Sequence, residues 1–386
     1  MSLPFFFLFC NLLSSVTAMA IISSTTNAHQ QQQYHEKYTP TNIFIGGLGY
    51  VGLRLASILK KEFPQAYISG TVRSVERRDG LLSSSDIKQQ HCIDSVHVLD
   101  IDNEYIGLDT NGLEDLINAD TIIQTVAPIA DFDTDPLLTF HGDKLLESEK
   151  LKYVVYISST GVYGNHDGDW VSEEDNDNDN ENVLLCTDAK SLARIKAEKA
   201  WGELEQHQHI HQEGGEDIDN HSIPTRVDYF RCGGIYGPGR GPLFSSSTSL
   251  DTLTNDTPID DEDTSIKYVN RILVDDICSA VLSGMYGSRP IYSGGRAYNC
   301  VDDDPAPRRD VMAEARRLLT SIQGEEETQP ATYSTTTEGN TGRRRRISRG
   351  TGNKRCKNTR LKEEYGWKPV APTYREGLAS LLEEVV

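Results

Sequence analysis

The chain of 386 residues can bury a large core and has room for one to three domains. Its formal charge of −20, with 58 acidic against 38 basic residues, argues against nucleic acid or an anionic membrane surface as partner. The 7 cysteines are scattered, odd in number and never paired as CxxC, which suits free thiols in a reducing compartment.

Residues 1–40 do not read as part of a fold. Leu3–Leu13 is apolar, Ala18-Met19-Ala20 resembles a small-residue cleavage site, and a glutamine run follows at Gln30–Gln33. No Lys or Arg precedes Lys37, so the basic flank of a secretory signal is missing. The stretch is either a targeting peptide, for the secretory pathway or an organelle, or a disordered leader of a cytoplasmic protein. The run is too short to span a bilayer comfortably, and no stable membrane association is expected.

Asn42–Leu59 carries the strongest signal. Asn42–Ile45 suits a buried strand, glycines interrupt it, and Val51, Leu55, Ile58 and Leu59 have helical spacing. Strand, glycine turn and helix form the opening of a dinucleotide-binding βαβ unit. Gly46 is expected to permit the tight turn, Gly49 to let the backbone approach a pyrophosphate, and Gly52 to bring helix and strand close. The phosphates would then sit at the helix N-terminus, at Tyr50 and Val51, where free N–H groups favour anions.

Ala66–Val72 reads as the second strand. An acid near its end would hold the ribose 2′-OH of NAD, whereas an arginine suits a 2′-phosphate. The residue there is Arg73, with Arg77 and Arg78 following, so NADP is favoured and NAD stays possible. Val96–Ile101 and Thr121–Val126 read as the third and fourth strands, the latter closing at Thr125, Val126 and Ala127 where a cofactor ribose would lie. Tyr153–Ile157 is the fifth, followed by Ser158–Gly164 at the end where ligands of open parallel sheets collect. Val227–Arg231 is a sixth, leading into Tyr236-Gly237-Pro238-Gly239-Arg240. Strands separated by helix-length segments give a doubly wound parallel α/β sheet.

The GxxGxxG spacing of Gly46, Gly49 and Gly52, with the YGPGR turn, Tyr268–Asp276, Ala297–Asp303 and Lys354–Trp367, resembles the extended, epimerase/dehydratase-like branch of the short-chain dehydrogenase/reductase superfamily. The resemblance implies an NAD(P)-binding Rossmann domain over 41–235, with polar inserts near 172–184 and 206–222. It implies a small C-terminal substrate lobe over 236–386, with inserts near 245–264 and 324–352. It places Asp100 and Ile101 against the adenine and Ser159 against a substrate oxygen.

Such proteins use a tyrosine as acid/base and a lysine four residues later that lowers its pKa. The pair is absent here. Aligning Glu198 with the family's helix puts Arg194 at the lysine and Lys190 at the tyrosine. Arg194 could still supply a fixed cation, and Tyr163 is the nearby phenol, either a surrogate acid/base or a pocket wall. The pattern looks like the atypical members, which keep the glycine motif and lose the catalytic pair. Two readings follow: an NADP-dependent oxidoreductase or epimerase/dehydratase-like enzyme acting on a small carbonyl, hydroxyl or nucleotide-sugar substrate, or a non-catalytic NAD(P)-binding sensor or scaffold. No metal is expected, since the Asp/Asn run at Asp175–Glu181 departs from a calcium loop and His207, His209 and His211 lie in a low-complexity stretch. Substrate identity and oligomeric state stay open.

Overall fold

The structure is a computed structural model that describes residues 38–83, 92–101, 107–128, 135–173, 184–213, 225–244, 266–289, 294–323 and 352–383. The expected leader up to residue 37, the acidic run at 175–181 and most of the later polar inserts lie outside the described residues.

The apolar run beginning at Asn42 forms β1 (Asn42–Gly46), buried on both faces as a central parallel strand must be. α1 (Tyr50–Glu62) and β2 (Tyr67–Val72) follow, then α2 (Val75–Ser83), β3 (Ser95–Val98), α3 (Thr110–Asn118), β4 (Thr121–Gln124), α4 (Pro136–Leu146), β5 (Tyr153–Ser159), α5 (Ala189–Glu213) and β6 (Arg226–Cys232). α6 (Val274–Tyr286) and β7 (Arg296–Cys300) come next, and α7 (Arg308–Gln323), α8 (Thr359–Tyr365) and α9 (Tyr374–Glu383) close the chain. The 7-stranded sheet has the order β7-β6-β5-β4-β1-β2-β3. Every neighbouring pair in it is parallel. This is the doubly wound sheet expected, with β1 interior and the order reversing between β1 and β4.

Strand ends differ from the sequence reading. β3 stops at Val98 and β4 at Gln124, whereas β5 runs on to Ser159 because Ser158 and Ser159 pair with Arg231 and Cys232. The sheet also does not end with β6. β7, from beyond residue 236, joins it through Arg296–Cys300 against Asp228–Cys232. α5 continues through Glu213, into the stretch expected to begin a polar insert near 206.

Helices cover both faces. Leu55, Ala56 and Leu59 of α1 and Ile277, Ala280 and Val281 of α6 share one apolar cluster with Ile43, Ile45 and Ile68. On the other face Leu116, Leu137, Ala197 and Trp201 pack against Phe44, Ile122, Val154 and Tyr156. A separate cluster of Tyr236, Leu273, Val311, Ala315, Tyr374 and Leu378 holds the C-terminal elements together.

A buried ionic knot ties β6 to the helices. Arg289 donates to Glu205 Oε1 at 3.0 Å and to Asp228 Oδ1 at 2.8 Å, and Tyr153 donates to Asp228 Oδ2 at 2.7 Å. The Arg289, Glu205 and Asp228 side chains are at most 1% exposed. Removing one member leaves uncompensated buried charge. Arg289→Met should therefore lower unfolding stability by roughly 3–5 kcal/mol in urea, with no direct effect on a ligand at the opposite end of the strands.

Candidate functional site

At the carboxyl end of β1 the chain turns through glycines before α1 begins. The left-handed residue is Gly47, φ 91°, so Gly47 and not Gly46 makes the tight turn. Gly46 is needed for another reason: a Cβ there would overlap the Gln124 carboxamide. Gly52 has the role expected of it, since its Cβ would overlap the Gly47 carbonyl oxygen. Around Gly49 a Cβ would meet nothing within 4 Å, so that side of the turn is open for a ligand.

Gly49 is the N-cap of α1 and offers no side chain to the helix's first N–H groups. The turn is held from behind. Gly47 N–H donates to Thr71 Oγ1 at 2.8 Å, and Leu48 N–H to the Thr71 carbonyl at 2.6 Å. Thr125 Oγ1 donates to the Gly47 carbonyl at 2.7 Å. Thr125 thus braces the turn, and Val126 packs against Gly47, leaving Ala127 the exposed residue of that trio. An open glycine face, uncapped N–H groups and a rigid backing fit a dinucleotide pyrophosphate. Tyr50 and Val51 begin the helix there, and the Tyr50 hydroxyl donates to the Pro238 carbonyl at 3.1 Å.

Arg73 is exposed just past β2 and makes no ion pair among the described residues. Asp100 and Ile101 follow β3 at the same sheet end, with Ile101 buried and Asp100 N–H bonded to the Gly107 carbonyl at 3.2 Å.

Ser159 ends β5 and caps the short helical turn Thr160–Tyr163, accepting from Gly161 N–H at 3.1 Å. Its neighbour Ser158 donates to Glu198 Oε1 at 2.6 Å. Glu198 is clamped in turn by Arg231, with Nη2 to Oε2 at 2.7 Å. Tyr163 is drawn into the interior. Its phenol is fully buried, donates to Asn299 Oδ1 at 2.9 Å and accepts from Arg231 Nη1 at 3.0 Å. Burial pushes its pKa well up, with the Arg231 charge only partly offsetting. The phenol is thus sealed and bonded on both sides. Arg194 reaches back to the Lys190 carbonyl at 3.3 Å and makes no hydrogen bond to Tyr163 or Ser159 among the described residues.

Several participants escaped the sequence reading. Gln124 Oε1 accepts from Val126 N–H at 3.2 Å, while its Nε2 donates to Asp135 Oδ1 at 2.6 Å. Asp135, fully buried at the start of α4, is pushed up to about 7 by burial. Arg231 and Asn299, which immobilise Tyr163, come from strands whose apolar neighbours gave no hint of polar contacts. The doubled glycine at Gly46-Gly47 was the available signal for the turn.

No protein-family model matches the chain, and no curated protein matches it in sequence. Among solved structures, a conserved protein of unknown function from Silicibacter pomeroyi DSS is 25% identical, with a TM-score of 0.57 over 89% of this chain and 99% of that one. A putative NAD-dependent epimerase/dehydratase from Methylobacillus flagellatus is 19% identical, with a TM-score of 0.54 over 89% and 98%. The dTDP-glucose 4,6-dehydratase of Bacillus anthracis, solved in complex with NAD, is 18% identical, with a TM-score of 0.56 over 89% and 96%. The fold is therefore the Rossmann-type α/β architecture of NAD-dependent epimerase/dehydratase-like proteins. No described helix is long and apolar enough to cross a membrane.

The Asp135 carboxyl gives a pH signature. Its folded pKa stands near 7 against 3.8 for the ordinary group. Stability from the neutral form is therefore complete below about pH 4 and lost as pH rises toward 7. Asp135→Asn keeps the acceptor oxygen and removes the titration. It should be more stable than wild type at pH 8, with the difference shrinking at pH 5, in urea unfolding. An unchanged pH profile would show that the carboxyl ionises normally.

Proposed function

We propose that the protein binds a nicotinamide dinucleotide, NADP(H) in preference to NAD(H), at the Gly46–Gly52 turn. On this reading it acts as an oxidoreductase or epimerase/dehydratase-like enzyme on a small carbonyl, hydroxyl or nucleotide-sugar substrate. The observation that carries it is the open, uncapped start of α1 beside the reversal point of the sheet, braced by Thr71 and Thr125. The bound cofactor supplies hydride transfer. The chain's own residues bind and orient: backbone N–H groups at Tyr50 and Val51 hold phosphate, Arg73 meets a 2′-phosphate, and the Ser159 hydroxyl directs a substrate oxygen. Asp100, Ile101 and Ala127 border the nucleoside.

Arg73→Ala should lower affinity for NADPH by about tenfold or more while NADH binding stays near wild type, because an Arg–phosphate pair distinguishes only the phosphorylated cofactor. A preference that survives the substitution would make Arg73 a solvated loop cation.

A second reading, cofactor binding without turnover, is favoured by one observation: the local phenol is withdrawn into the Arg231–Asn299 network, and Lys190 and Arg194 occupy the expected catalytic pair's positions. Thermal shift with NADPH, alongside a hydride-transfer screen of carbonyl and nucleotide-sugar substrates, separates the two. A large shift without turnover supports binding alone. In either case Tyr163→Phe should act through stability, costing about 1–3 kcal/mol from orphaned partners and sparing dinucleotide affinity. A 10²–10⁴-fold loss of turnover in a stably folded Tyr163→Phe would instead restore the phenol as acid/base.

A further inference from the structure

The turn Tyr236–Arg240 reaches across from the C-terminal lobe to the first residue of α1. It is tightly closed: Gly237 N–H donates to the Arg240 carbonyl at 2.9 Å, and Arg240 N–H returns to the Gly237 carbonyl at 2.9 Å. Gly237 and Gly239 take φ of 158° and 68°, and a Cβ at Gly237 would strike the Tyr50 hydroxyl and the Val274 side chain. Tyr50 Oη on the Pro238 carbonyl pins the turn to α1. The product is an exposed guanidinium held 5.1 Å from the centroid of the Tyr50 ring.

That placement is electrostatically one-sided. The start of a 13-residue helix carries partial positive charge, no side chain caps it, and Arg240 adds a full positive charge beside its first residue. Although the chain carries a net charge of −20, Arg240 pairs with no carboxylate among the described residues. Stacking of an exposed guanidinium on a half-buried ring is a weak reason to hold a cation against a like potential. An anion lying between the open glycine face and the guanidinium satisfies both.

We infer that Arg240 is the side-chain cation that grips the pyrophosphate of the bound dinucleotide, so that the C-terminal lobe helps hold the cofactor. This rests on the dinucleotide reading of the Gly46–Gly52 turn. A stiff, pre-ordered turn suits the role, because little freedom remains to be lost on binding.

The test compares wild type, Arg240→Gln and Arg240→Lys, all checked for unchanged melting temperature, with NADPH, adenosine 2′-phosphate and a uridine diphosphate sugar as probes. Arg240→Gln should weaken NADPH about tenfold or more, with Arg240→Lys recovering part of the loss, and leave adenosine 2′-phosphate within about twofold. The salt dependence of NADPH binding should also become shallower in Arg240→Gln. NADPH affinity within twofold of wild type in Arg240→Gln overturns the inference, as does an equal loss for adenosine 2′-phosphate. Loss confined to the diphosphate sugar also overturns it, placing Arg240 on the substrate instead. If wild type binds no dinucleotide at all, the reading of the turn itself fails, an outcome distinct from the others.

Discussion

The close approach of α1 to the end of β1 is the constraint on which the site depends. Only hydrogen at Gly52 lets the helix start against the Gly47 carbonyl, and only hydrogen at Gly46 leaves room for the Gln124 carboxamide. The two contacts point in different directions, one into the helix and one across to β4. Together they fix where the first N–H groups of α1 aim, and the same crowding aligns β4 so that Thr125 reaches back to the Gly47 carbonyl. A methyl group at either position would displace the turn from both supports.

Behind the other half of the site lies a buried polar network. Arg231 spans Glu198 on α5 and Tyr163 after β5, while Asn299 Oδ1 on β7 accepts a hydrogen bond from the phenol and Glu173 accepts from the Asn299 backbone N–H. Such a network is stable only when every member is bonded, and this one draws on β5, β6, β7 and α5 at once. It braces the turn that follows Ser159 by tying the Tyr163 phenol to β6 and β7. Bracing of the β5 loop and burial of its phenol are thus two results of one arrangement.

The C-terminal half is less separate from the sheet and its helices than a lobe appended after residue 236 would be. β7 completes the sheet, α6 packs with α1, and Arg54 on α1 donates to both carboxylate oxygens of Asp275 on α6. The turn at Tyr236–Arg240 therefore stands on the same framework as the glycine turn, which gives its guanidinium a defined position relative to α1.

What the sequence by itself determined was whatever rests on local patterning. Buried β-strand runs such as Asn42–Ile45 and Tyr153–Ile157, the helical spacing after Gly49 and the glycine punctuation between them are set by near neighbours, so the α/β class and the place of the glycine turn were legible. Which glycine takes the left-handed conformation was not, because that depends on Thr71, Gln124 and Thr125 arriving from other strands. Nor could spacing reveal that Tyr163 is sealed, since Arg231 lies 68 residues away and Asn299 lies 136 residues away. The joining of β7 to the sheet and the meeting of Arg240 with Tyr50 are decided the same way. They are contacts between distant segments, fixed by how the sheet is ordered and covered, and only tertiary packing brings their atoms together.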